Sequence, residues 1–169
     1  MDKIPLNTHQ TLAFFFPGLV FAFSSFYSYY FSFVEHGTIE TFFKHYKDDG
    51  IAVFFVLLGI AIVAGLIFDS IRNGILEELF DKKKKIRWDF FFDQDTKIVG
   101  MLYARYYNYY VYDINTVIAL FFSAGVLITS LKFHNMICLL IVQLCVIIIL
   151  CWEAFRLRGE ISKITHKFH

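Results

Sequence analysis

Four stretches of the chain are almost wholly apolar, at residues 11–34, 51–68, 114–131 and 136–152, and polar segments of unequal length separate them. Each is close to the length that the ~30 Å hydrocarbon core of a bilayer demands of a helix. The pattern predicts an all-α membrane protein, a single integral membrane domain over 1–169 with four transmembrane helices. The second stretch passes with no Pro or turn cluster into DSIRNGILEELFDKKKKIRW, which is charged yet still helical in period. It therefore reads as one helix that leaves the bilayer on the side where Lys82, Lys83, Lys84 and Lys85 are retained. The first stretch holds no charged residue and is too long for a signal-peptide core, so a span is expected there rather than a cleaved leader. Pro17 and Gly18 are placed to kink it. The short KFHN turn makes the last two spans an antiparallel hairpin.

Charge orients these spans. Of the 16 lysines and arginines, all but Lys44, Lys47 and Lys132 fall in the N-terminal tail, in the segment 69–113 or in the tail 153–169. Both termini and the long middle segment are expected in the cytoplasm. Composition agrees: 57% of residues are hydrophobic and 20% aromatic, above the roughly 45–50% apolar content of soluble domains. Cys138, Cys145 and Cys151 share one apolar stretch, which excludes a disulfide framework.

The middle segment and the tail form a small cytoplasmic layer. IRWDFFFD alternates Ile86, Trp88, Phe90 and Phe92 against Arg87, Asp89 and Asp93 and fits a short β-strand. TKIVGMLYARYYNYYVYD carries helical spacing into the third span through Ile98, Met101, Leu102 and Arg105. The segment is too small to build a core alone, so it is expected to pack on the tail 153–169 or on copies of itself.

Two faces of the second helix differ. Ala61, Ala64, Gly65, Phe68, Ile71, Ile75 and Leu79 make a stripe whose small members suit close packing on a neighbouring helix. Opposite them, Gly59, Val63 and Leu66 lie above Ser70, Asn73 and Glu77, an apolar constriction over a polar vestibule, the arrangement of a pore that closes by dewetting. The alternative is a lipid-facing helix with a solvated extension. Asp69 is spaced to pair with Arg72 and Asn73 on one face, and Gln143 to hydrogen-bond a neighbouring helix.

Lys82 to Lys85 and Arg87 suit anionic lipid headgroups or a nucleotide. In ARYYNYYVYD, Arg105 with Tyr106 and Tyr107 suits either an aromatic belt at the interface or a surface that holds phosphate and stacks bases. Enzyme chemistry has little support: there is no HExxH, no GxSxG, no Gly-rich phosphate loop and no Cys/His cluster, and neither a catalytic residue, a metal site nor a cofactor is expected. Asp69, Arg72, Asn73, Glu77 and Glu78 leave room for a lipid-modifying enzyme, but lack the repeated Asp and Gly spacing of the CDP-alcohol transferases.

Through its four short spans, its Phe- and Tyr-rich chain and its basic face of KKKKIRW and ARYYNYY, the protein resembles the small membrane effectors of bacterial anti-phage systems, above all the Hailong-type nucleotide-gated channel. Kiwa-type membrane proteins have a similar size and span count. The resemblance implies a homo-oligomer, a tetramer by analogy, in the bacterial inner membrane, opened by an oligonucleotide or cyclic nucleotide. The expected function is thus an oligomeric channel or membrane-disrupting effector. The alternative is a membrane-anchored sensor or scaffold that recruits a soluble partner.

Overall fold

The computed structural model describes residues 8–33, 44, 50–82, 85–87, 96–128 and 137–167. Helix α1 (Thr8–Phe33) runs unbroken through Pro17. Helix α2 (Gly50–Ile71) continues through a π-helical turn, Arg72–Leu76, into the short α3 (Glu77–Asp81). Helix α4 (Thr96–Leu102) likewise passes through a π turn, Tyr103–Tyr107, into α5 (Asn108–Ile128). The last helix, α6 (Ile137–Lys167), is a single rod. The strand expected over residues 86–93 lies, apart from 86 and 87, outside the described residues, and no strand occurs among those that are described. Among the described residues, three helical rods are long and apolar enough to cross a membrane, Gly50–Phe80, Ile98–Ile128 and Leu140–His166, and Ala13–Ser28 is a shorter apolar helix.

Helix α1 packs between α2 and α5, and α5 in turn packs against α6. The α1–α2 crossing brings backbone against backbone. A Cβ on Gly18 would fall 1.8 Å from the carbonyl oxygen of Ala61, and one on Gly65 would fall 2.2 Å from that of Phe14. In lipid, where apolar burial drives nothing, such close van der Waals approach is what holds helices together. Phe68 extends the contact, edge-on to Phe21 at 5.5 Å and stacked on Phe122 at 5.8 Å.

Burial is graded across the rods. The most apolar stretch of the third rod is 61% buried, against 28% in the second and 11% in the fourth. Helix α5 is therefore the central element, and α2 and α6 turn apolar faces outward. Ile51, Phe55 and Val63 on α2, and Ile148, Ile149 and Trp152 on α6, are more than half exposed. A water-soluble monomer rarely leaves such contiguous surface uncovered. Within the pair α5 and α6, Gln143 Nε2 donates to Ser123 Oγ at 3.1 Å, the interhelical bond expected of a lone amide in an apolar helix.

Beyond the apolar stretches, residues 85–87 dock on the far end of α6. Ile86 is fully buried, Ser162 Oγ donates to the Lys85 carbonyl at 2.9 Å, and the Arg87 backbone N–H donates to Thr165 Oγ1 at 3.4 Å. The tail thus supplies the core that the middle segment cannot build by itself.

Candidate functional site

At the polar end of the rods, seven side chains from three rods form a largely buried network of ion pairs and hydrogen bonds. It begins at Asp69, the first charge after the apolar stretch of α2. Asp69 Oδ1 accepts from Arg72 Nη2 at 2.6 Å, and Asn73 Nδ2 donates to Oδ2 at 3.0 Å, the local pairing that the spacing predicts. Arg72, only 3% exposed, also donates from Nη1 to Glu77 Oε1 at 3.1 Å. Residues five apart lie about 140° apart around an α-helix. Here the π turn closes i→i+5 bonds, with the Glu77 N–H donating to the Arg72 carbonyl, and brings both side chains to one face.

Glu77 then binds across the fold. Tyr110 of α5 donates its hydroxyl hydrogen to Oε1 at 3.1 Å, and Arg158 of α6 donates from Nη1 to Oε2 at 2.6 Å and to the Tyr110 oxygen at 2.7 Å. Arg158 is fully buried, with Phe80 and Tyr110 rings each 5.5 Å from its guanidinium carbon. Asn115 of α5 closes the upper end, donating from Nδ2 to the Ala13 carbonyl at 3.2 Å and to Asp69 Oδ1 at 3.4 Å. Two guanidinium groups face two carboxylates, so the network is formally neutral. Its members engage one another, which offsets their desolvation, and the weakly hydrated, planar guanidinium is the cation best suited to such a site. Burial pushes the Tyr110 hydroxyl well above its ordinary range and the Glu77 charge pushes it further, so Tyr110 stays a donor. Burial raises Tyr107 as well, against the pull of neighbouring Arg72.

The π turn also redirects the rest of the rod. Its extra residue carries the packing stripe from Ala61, Ala64, Gly65 and Phe68 on to Leu76 and Phe80, whereas Ile75 and Leu79, expected in that stripe, are 57% and 51% exposed. For the same reason Glu77 does not belong with the opposite face. Gly59, Val63, Leu66, Ser70 and Asn73 are exposed together along the outside of α2, but Glu77 turns inward to Arg158. Val63, Leu66 and Ser70 line a shallow groove of about 440 Å³ on this outer face.

The residues expected to hold an anionic ligand are distributed. Lys82 and Lys85 are exposed, Lys83 and Lys84 lie outside the described residues, and Arg87 is partly covered by its docking on α6. Tyr107 is turned into the core beside Tyr110, with ring centroids 6.3 Å apart. Arg105 and Tyr106 line a cleft of about 500 Å³ with Asp113, Glu153, Arg156 and Glu160. Arg105 lies over the Tyr106 ring at 5.6 Å, and Arg156 is held by Glu153. The carboxylates of this cleft outnumber its arginines.

Arg158 and Asn115 are absent from the candidates read in the sequence, and Tyr110 enters there only as one of the tyrosines of ARYYNYYVYD. Asn115 carried a signal, a polar amide next to the apolar stretch of α5. Arg158 carried none, since it sits among other basic residues of a tail that reads as solvated. No family model, curated protein or solved structure matches the chain.

Proposed function

We propose that this protein is a four-span protein of the bacterial inner membrane, with both termini in the cytoplasm, that assembles as a homo-oligomeric channel or membrane-disrupting effector. One observation carries the reading. The rod formed by α2, the π turn and α3 joins an exposed face bearing Val63, Leu66 and Ser70 to the Glu77–Arg158 pair, which ties it to the tail helix. A movement of the tail is thereby coupled to that face, and π turns inside α-helices occur frequently at functional sites. Facing copies of Val63 and Leu66 make a dry constriction, because apolar walls in a narrow passage offer water no partners.

The signal in this reading is an oligonucleotide or cyclic nucleotide received on the basic face by Lys82 to Lys85 and Arg87, with Arg105 nearby. The supporting features are the exposure of Lys82, Lys85 and Arg105 and the docking of Lys85 on the far end of α6. The lipid-modifying enzyme is the less favoured alternative, because Asp69, Arg72 and Glu77 are engaged with one another and with Arg158. Dye or ion flux from liposomes holding the purified protein, with and without added oligoadenylates and cyclic dinucleotides, tests the proposal. Nucleotide-dependent flux supports it. Tight proteoliposomes under every nucleotide favour a scaffold that recruits a soluble partner.

A further inference from the structure

The cleft on the outer side of α5 contains a group that the ionic network does not use. Asp113 is 7% exposed, it lines the cleft, and among the described residues neither a hydrogen bond nor an ion pair engages its carboxyl. A carboxylate taken out of water without a partner is costly. Each neighbouring charge is already disposed of otherwise. Arg156 is held by Glu153, Glu160 pairs with Lys163 at 2.8 Å, and Arg105 lies exposed over Tyr106. What Asp113 lacks is a cation.

We propose that this cleft binds a small monovalent organic cation, an alkylguanidinium or primary alkylammonium, whose N–H groups meet the Asp113 carboxylate while its charge lies against the rings of Tyr106 and Tyr109. The volume, about 500 Å³, is that of a small-molecule site. Two tyrosines on the lining suit an organic cation, which ring faces attract. A metal ion fits less well, because among the described residues no three His, Cys, Asp or Glu side chains are grouped to hold one. The inference goes beyond the channel reading and stands or falls apart from it, since binding is measured without conduction.

Calorimetric titration of the full-length protein in detergent micelles tests it, with butylguanidinium, butylammonium, magnesium chloride and the neutral isostere butylurea as probes. The expected result is saturable binding of at least one organic cation and none of butylurea. Asp113→Asn should weaken that binding about tenfold or more, the loss of a charge-assisted hydrogen bond. Tyr109→Leu should weaken it severalfold, and Arg105→Gln, which removes a like charge from the rim, should strengthen it. Saturable binding of neither organic cation, binding of magnesium in their place, or equal binding by a folded Asp113→Asn variant each overturns the proposal. Should Asp113→Asn fail to fold, unchanged binding by Tyr109→Leu overturns it instead.

Discussion

The Glu77 carboxylate and the Arg158 guanidinium, 81 positions apart in the chain, meet at 2.6 Å beneath the apolar stretches of the rods. This pair fixes the register between the second rod and the tail helix. Both partners are withdrawn from water, Arg158 fully buried and Glu77 14% exposed, and Tyr110 bonds to each of them. Breaking such a pair from one side strands the other charge, at a typical cost of about 3–5 kcal/mol. Arg158→Met and Glu77→Leu should each lower stability by that order, and the double variant should recover part of the loss. Thermal unfolding in micelles measures both. Single variants as stable as wild type would show that the pair does not hold the register.

The π turn gives a second prediction. Gly74 lies inside it, exposed, with no atom within 4 Å of the position its Cβ would take. Deleting Gly74 removes one residue from the wide turn and returns the rod to α-helical register. Arg72 and Glu77 then stand four apart, about 40° around an α-helix, so Glu77 should keep facing Arg158 and the deletion should cost much less than losing the pair. Gly74→Ala, which keeps the residue count, should be neutral or stabilising by up to about 1 kcal/mol. A deletion as destabilising as Arg158→Met would contradict the role given to the turn.

This turn also marks where the sequence stops being legible. Up to Phe68 the period of an α-helix places Ala61, Ala64 and Gly65 correctly against α1. Past Arg72 the same period points to Ile75 and Leu79, while the chain packs Leu76 and Phe80, partly buried, against the core. No residue type announces a π turn; it is selected by tertiary partners, here Arg158 and Tyr110 acting on Glu77. The Asp69–Arg72 pair was readable because it is local, and Gln143 because an amide in an apolar helix needs a partner. Arg158 was not, because its partner lies on another helix and nothing in the local pattern distinguishes it from a solvated arginine. Tyr107 and Arg105, two positions apart, part ways for a similar reason, one turning into the core and the other to the surface.

The helix crossing gives a third. An added Cβ at Gly18 or Gly65 meets backbone carbonyls, which cannot turn aside. Gly18→Ala and Gly65→Ala should each force α1 and α2 apart, at a cost of about 1–3 kcal/mol as in other overpacked cores. Gly59→Ala, in open space, should not destabilise the fold. Melting temperatures of the three variants decide, and tolerance at both 18 and 65 would mean that the crossing is looser than described.

The fourth concerns pH. Burial, and secondarily the charge of Glu153, pushes the Asp113 carboxyl up to about 6 from its ordinary 3.8. Its folded-state value is thus raised, so the folded protein holds this proton more tightly than the unfolded chain. Below about pH 4 Asp113 is protonated in both states and imposes no penalty. As pH rises from about 4 through 6 the unfolded chain releases the proton more readily, and stability falls. With no organic cation in the buffer, Asp113→Asn should therefore be more stable than wild type at pH 8, and the difference should shrink towards pH 4. A difference that does not vary with pH would place the carboxyl in water.

Single-channel recording of wild type and Leu66→Asn in planar bilayers tests the channel most directly. Leu66 is 58% exposed on the outer face of α2, beside Val63 and above Ser70, so in an assembly built on that face it forms part of the dry constriction. Asparagine gives the constriction a group that water can hydrate. The account predicts that wild type stays closed without a nucleotide signal, that Leu66→Asn conducts without one, and that the variant is toxic when expressed. Closure of Leu66→Asn as complete as that of wild type, with no added toxicity, would contradict a pore lined by this face.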